Sequence, residues 1–245
     1  MRTLKFITLS AFAVSLVFAA DMPSGDSLLD RYIEKSGGAE AYAKAKTTAM
    51  TGKVTVAAAN ISGNVSIYQD GPKFYQVVDI DGIGKIEGGF DGETAWENSA
   101  LQGPRVLEGD EKIEAKRAAM LAVISNWRNV FKEARTVGTE SVDGKPAWKV
   151  EMTAREGKPE TFFFDQDSGM LVKTSSVRTT PLGDVPAETD MSDFRPVDGI
   201  MTPFTMTERA MNQTMVMKFT NVSYNVTFPK NRFDLPEVVR ALVKK

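Results

Sequence analysis

Over most of the chain beyond Thr47, apolar residues recur at every second position in short runs. Turn residues separate the runs at roughly ten-residue spacing. This alternation constrains the fold most, because side chains on a strand point to opposite faces in turn, so one face is buried and the other wetted. In 48–58, Met50, Val54 and Val56 share a face opposite Thr51, Lys53 and Thr55. In 61–70, Ile61, Val65 and Ile67 alternate with Ser62, Asn64 and Ser66. Gly71-Pro72 turns the chain into a strand over 73–80, and two or three shorter strands reach Trp96. Further strands are predicted at 136–142, 146–154, 160–166, 170–180, 184–196, 199–209 and 213–226, with Asp143-Gly144, Asp167-Ser168-Gly169 and Asp198-Gly199 as turns. In the 146–154 run, Trp148, Val150 and Met152 oppose Lys149, Glu151 and Thr153. A one-residue slip in register there would bury the charges.

Two segments break the pattern. Ser27–Lys35 places Leu28, Leu29, Tyr32 and Ile33 on one helical stripe and ends at Gly37-Gly38, and a short second helix is predicted over Glu40–Lys46. In the middle, Gly109–Arg135 carries Ile113, Met120, Ile124, Trp127 and Phe131 at helical spacing, with a break near Ser125-Asn126. A short apolar tail runs from Leu235 to Val243. The predicted class is therefore mostly β with helices: an unclosed antiparallel β-barrel, a curled sheet of about 11–12 strands with a helical lid.

The first twenty residues read as a secretory signal peptide. Arg2 and Lys5 form a basic start, Phe6–Phe18 is largely apolar, and Val17-Phe18-Ala19 supplies small residues at the junction. No cysteine stands there to take a lipid anchor, and the apolar run is shorter than the roughly 20 residues of a membrane span. Residues 21–245, about 225 residues, fit a single domain. The expected location is the periplasm, as a soluble protein without a transmembrane segment.

Composition removes whole classes of chemistry. The chain has no cysteine and no histidine. Disulfide frameworks, thiolate nucleophiles, the usual zinc sites and Ser-His-Asp or Cys-His catalysis are excluded. Asp165–Gly169 does not fit a calcium loop, because Gly169 stands fifth and Ser176 twelfth. No metal, cofactor or catalytic residue is assigned, and an enzyme is the least favoured class. The net charge of −2 offers no basic field for nucleic acid.

Phe90-Asp91-Gly92-Glu93-Thr94-Ala95-Trp96 resembles the turn, Asp-Gly followed four residues on by Trp, of the bacterial periplasmic lipoprotein-carrier superfamily, the LolA/LolB-like proteins. Leu28-Leu29-Asp30-Arg31-Tyr32 with Gly37-Gly38 is similar to one uncharacterised branch of it. So are Phe163-Phe164-Asp165 with Ser168-Gly169-Met170-Leu171, and Asp193-Phe194-Arg195 with Val197-Asp198-Gly199-Ile200 and Pro203. Phe219-Thr220-Asn221-Val222, Asn225, Phe233 and Pro236 complete an ordered set over nearly the whole chain. The resemblance implies an incomplete barrel around an apolar cavity with helices across its mouth. It also implies a carrier that holds the acyl chain of a lipoprotein, or another lipid, for transfer toward the outer membrane, with a membrane-bound donor or acceptor as partner.

On that reading, the apolar faces line the lipid cavity through Val54, Val56, Val65, Ile67, Trp148, Val150, Met152, Phe204, Met206, Met215, Met217 and Phe219. Methionine, flexible and polarizable, suits a pocket for variable chains, and the sequence has 12. Met120, Ile124, Trp127 and Phe131 form the lid. The alternative is a non-transporting scaffold protein whose same residues make a filled core. An outer-membrane barrel is disfavoured by the central helical segment and the Val243-Lys244-Lys245 end. Export is expected to cleave the chain after Ala19 or Ala20. N-terminal sequencing of the periplasmic fraction checks this, and an intact Met1 on folded protein would exclude it.

Overall fold

The computed structural model describes residues 22–120 and 123–243. The signal-peptide reading of residues 1–20 lies outside them. Helices α1 (Gly25–Lys35) and α2 (Gly38–Lys44) lead into six strands: β1 (Thr47–Val56), β2 (Ile61–Asp70), β3 (Lys73–Ile80), β4 (Gly84–Phe90), β5 (Ala95–Ser99) and β6 (Gly103–Leu107). Helix α3 (Gly109–Ala119) and a 3-10 turn at Val123–Asn129 follow. Seven more strands come next: β7 (Phe131–Val142), β8 (Lys145–Ala154), β9 (Glu160–Asp165), β10 (Leu171–Thr180), β11 (Gly183–Val197), β12 (Ile200–Ala210) and β13 (Gln213–Tyr224). Helix α4 (Glu237–Val243) ends the described chain.

All thirteen strands form one antiparallel sheet in the order β6-β5-β4-β3-β2-β1-β13-β12-β11-β10-β9-β8-β7. Each strand pairs with its sequence neighbour, except where β1 meets β13, from Thr48 opposite Tyr224 to Val56 opposite Met215. That pairing joins two runs of hairpins into one curled sheet. The outer strands β6 and β7 do not pair, so the barrel stays unclosed, and α3 with the 3-10 turn connects them.

Two features correct the sequence expectation. The strand count is thirteen rather than 11–12, because Gly103–Leu107 forms β6 despite Pro104. That proline sits on the sheet's outer strand, where a missing N–H leaves no gap in the ladder. The helical segment predicted over Gly109–Arg135 is α3, a 3-10 turn and the start of β7. Phe131 opens β7 opposite Ala154, and Arg155 N donates to Val130 O at 2.8 Å. Strand pairing at the sheet edge thus takes Phe131 out of the helical stripe on which its spacing had put it.

The turns explain the motifs. Asp91 Oδ1 accepts from the N–H groups of Glu93 at 2.9 Å and Thr94 at 2.7 Å, while Gly92 takes φ +110°. This turn delivers Trp96 into a buried stack beside Tyr75 on the outer face. Asp165 Oδ1 accepts from Ser168 N at 2.7 Å and Ser168 Oγ at 2.6 Å. Burial acts against the charged form of Asp165, but these hydrogen bonds outweigh it and hold the carboxyl below its ordinary range. Arg31 of α1 caps the same turn by donating to Asp167 O at 2.8 Å.

Two large apolar clusters fill the concave side, beside a smaller one in which Ala119 of α3 meets Phe90 and Ala95. One lies under α1, where Leu28, Leu29 and Tyr32 pack on Val150, Met152, Phe162 and Phe164. The other lies over β1–β3, β12 and β13, around Val54, Val65, Val78, Phe204, Met217 and Phe219. Between β1 and β13 the register shifts at Thr51/Gly52. A Cβ on Gly52 would stand 2.1 Å from Lys218 O, a backbone atom that cannot swing aside. Gly52→Val is expected to destabilise the fold by about 1–3 kcal/mol, whereas Lys53→Ala on the exposed face should change it by less than about 0.5 kcal/mol. Urea unfolding of the two variants checks this; equal effects would show that β1–β13 contact at Gly52 is not limiting.

Candidate functional site

Helix α3 defines the candidate site. Its sequence suits a helix, with Asp110 and Glu111 in the first turn and Lys116 and Arg117 in the last, each complementing the macrodipole. It is nevertheless poorly anchored by apolar burial, since only Ala119 is buried. Polar ties hold it across the unpaired sheet edges instead. On one side Arg105 of β6 donates to both oxygens of Glu111, at 2.8 and 2.9 Å, and to Glu97 of β5 at 2.9 Å. On the other, Thr179 N of β10 donates to Glu114 at 3.1 Å, and Arg117 pairs with Glu160 of β9. Gln69 of β2 donates to Ala118 O at 2.7 Å.

Between this strap and the concave sheet lies an open cleft of about 690 Å³. That volume falls within the range of small-ligand sites. Its apolar wall comprises Phe74, Leu107, Met120, Ile124, Phe162, Leu171, Met191 and Met206. Hydroxyls of Thr174, Ser176 and Thr189 line another part, and Lys158, Arg178 and the strap's ion pairs form the rim. Glu114 is half-buried, and desolvation raises its pKa against the opposing pull of the Thr179 N–H, Arg178, Lys158 and Arg117. The carboxylates on the wall are all engaged: Glu97 and Glu111 by Arg105, Glu114 by Thr179 N, Glu160 by Arg117. The cleft therefore offers apolar contact and a polar collar, an arrangement for holding a ligand. Among the described residues no cluster of three or more acidic side chains converges as a metal site.

A crystal structure of a DUF1329 family protein from Desulfovibrio piger aligns with TM-score 0.57 at 13% identity, covering 87% of this chain and 98% of that one. A LolA superfamily protein from Nitrosomonas europaea aligns with TM-score 0.55 at 13% identity, over 87% and 99% of the two chains. A putative outer membrane lipoprotein-sorting protein domain from Vibrio parahaemolyticus gives 0.50 at 12% identity, over 90% and 98%. The chain has a LolA-like fold. No family model matches the sequence, and no curated protein matches it. At these identities the likeness concerns the fold alone.

Within this LolA-like sheet the predicted cavity residues separate into the two clusters. Val54, Val65, Phe204, Met217 and Phe219 are buried in the β1–β13 cluster, with Val56, Ile67, Met206 and Met215 partly buried against it. Val150 and Met152 are fully buried in the α1 cluster, with Trp148 packed at its edge. Lys149 and Glu151 face the other way and pair with Glu140 and Arg135. Of the twelve, Met206 lines the cleft. Of the lid residues, Met120 and Ile124 line it, whereas Trp127 and Phe131 belong to the α1 cluster. The wall residues Phe74, Leu107, Phe162, Leu171 and Met191 escaped sequence reading, although each lies in an alternating or aromatic run. Nothing in the sequence marks where α3 stands off the sheet and leaves a cleft bordered by these residues.

Glu114 gives the strap a pH dependence whose sign follows from its raised pKa. The folded state disfavours the ionised carboxyl relative to the unfolded chain. Glu114 therefore costs stability once pH rises through its folded pKa, and the cost vanishes below the unfolded value. Glu114→Gln is expected to raise the thermal midpoint at neutral pH and leave it unchanged in acid below the ordinary glutamate range. Calorimetry at the two pH values checks this, and equal shifts at both would reject it.

Proposed function

We propose that this protein is a periplasmic carrier that holds an acyl chain, from a lipoprotein or another lipid, in the cleft between α3 and the concave sheet. The observation that carries the reading is the cleft of about 690 Å³ with its apolar wall and polar collar, set in a LolA-like fold. An acyl chain would lie along Phe162, Leu171, Met191 and Met206, with Met120 and Ile124 above it. A polar headgroup would meet the charged rim. The flexible thioethers of Met120, Met191 and Met206 adapt to chains of different length. The absence of histidine and cysteine favours binding over catalysis. No helix among the described residues is long and apolar enough to cross a membrane, and the signal-peptide pattern of residues 1–20 supports export.

The filled clusters favour a second reading, a non-transporting scaffold. Val54, Val65, Val150 and Met152 are at most 1% exposed, so the sheet interior beneath the cleft is already packed. Mass spectrometry of solvent extracts from purified protein, with a fluorescent fatty-acid binding assay, separates the two. The carrier reading expects co-purifying lipid and saturable probe binding. Ile124→Asp puts a charge on the apolar wall and is expected to weaken probe retention about tenfold or more with a smaller effect on unfolding. Lipid-free extracts and no probe binding would leave the scaffold.

A further inference from the structure

The two ends of the barrel differ in chemistry. In an antiparallel meander, alternate turns lie at the same end of the sheet. The β1–β2, β3–β4, β5–β6, β8–β9, β10–β11 and β12–β13 turns therefore share one end. Four of these six carry no charge: Ala57–Asn60, Ala100–Gln102, Pro181-Leu182 and Met211-Asn212. Of the remaining two, one holds Asp81, and the other holds Arg155, Glu156 and Lys158: Glu156 and Lys158 pair with Lys116 and Asp184, and Arg155 Nε donates to Arg128 O at 2.9 Å. At the opposite end four of five turns carry acid: Asp91-Gly92-Glu93, Asp143-Gly144, Gln166-Asp167 and Asp198-Gly199.

The uncharged turns hold large apolar side chains outward. Leu182 is 86% exposed, Leu101 80% and Met211 57%, and Ala57, Ala58 and Ala59 are exposed beside them. Of the other exposed large hydrophobics, Val177 lines the cleft, and Met22, Val238, Leu242 and Val243 lie in the terminal segments. Turn tips ordinarily take Gly, Asn or Asp. Among the described residues, seven non-glycine residues have positive φ, six of them Asn or Asp; the seventh is Met211, at φ 49°. An unbranched apolar side chain there forgoes the local hydrogen bond by which Asn and Asp tolerate the left-handed region. The β10–β11 hairpin also runs four residues past Ala187, which pairs with the last residue of β12. Its tip thus projects roughly 13 Å along the strand beyond its neighbour. The cleft wall climbs the same hairpin to Thr180, next to Pro181-Leu182.

We propose that this rim docks on an anionic phospholipid bilayer, with Leu101, Leu182 and Met211 set into the boundary between headgroups and acyl chains. Uncharged tips enter that boundary without stripping water from a charge, and apolar side chains gain from leaving water. The acidic end is repelled by anionic headgroups, so the barrel stands with its apolar rim down. Docked in this way, the wall of the cleft meets the membrane surface. The inference goes beyond the carrier reading and does not require the cleft to hold lipid.

Flotation of the mature protein with vesicles of phosphatidylethanolamine and phosphatidylglycerol tests it. The wild type is expected to float with the vesicles. Leu101→Ser and Leu182→Ser should each weaken partitioning about tenfold. Met211→Asn should weaken it while raising the thermal midpoint, because it relieves the backbone at that turn; a merely structural methionine would not give both changes. Tryptophan emission in L182W should shift to the blue when vesicles are added, and in D167W, at the other end, it should not. Ile124→Asp, which disables the cleft, should float as the wild type does, so failure of the carrier reading is separable from failure of this one. Wild type that stays with the soluble fraction, or tip variants that float equally well, would overturn the proposal. A concentration-dependent dimer abolished by the tip substitutions, without vesicle binding, would place a second copy on the rim and overturn it too.

Discussion

Pairing between β1 and β13 is the contact on which the rest of the molecule depends. Every other ladder joins strands adjacent in sequence, through loops short enough to close at little entropic cost. β1 and β13 are separated by most of the chain, and their ladder turns two hairpin runs into one sheet. It also decides where the barrel is open. With the chain's two ends joined through β1 and β13, the unpaired edges must fall mid-sequence, at β6 and β7. The apolar cluster over Val54, Val65, Phe204 and Met217 packs across the same junction, so register and core stabilise each other.

The open seam explains why the middle of the chain is helical. Unpaired strand edges invite pairing with other chains, and covering them is a common remedy. Here α3 bridges the seam with only Ala119 fully buried, against Phe90 and Ala95. Its ties are hydrogen bonds and ion pairs, with Arg105 about a quarter exposed and Arg117 less so. Partly exposed pairs of this kind each contribute modestly and weaken with salt. Segments held by few apolar contacts open at lower cost than the packed sheet. The main clusters, by contrast, contain side chains with no exposure at all, such as Leu29, Val54, Val150 and Met152. Rigid sheet and lightly held strap are therefore separate parts, and the cleft lies between them.

Alternation along the strands was enough to read the class, the hairpins and the in–out sense of β8, where Val150 and Met152 are buried while Lys149 and Glu151 pair on the far face. The Asp-Gly turns were also legible, because a side-chain acceptor and a residue tolerating positive φ are local requirements. Reading failed where a local pattern met a non-local demand. The spacing of Phe131 suits a helix, yet edge pairing with Ala154 makes it a strand residue. Pro104 argues against a strand interior, yet an outer strand accepts it.

The sequence by itself determined which face of each strand is apolar, because that depends only on a period of two. Which apolar faces meet each other and which stay open was decided by the tertiary structure. Met206 and Met217 lie opposite each other in paired strands and look equivalent in sequence, but Met217 is buried in the core and Met206 also lines the cleft. The difference arises from the path of α3 and the curl of the sheet, set by contacts between residues far apart in the chain. Likewise, Leu101, Leu182 and Met211 are isolated apolar residues in the sequence. The alternating ends of the meander bring them to one rim, because strand direction reverses at every turn.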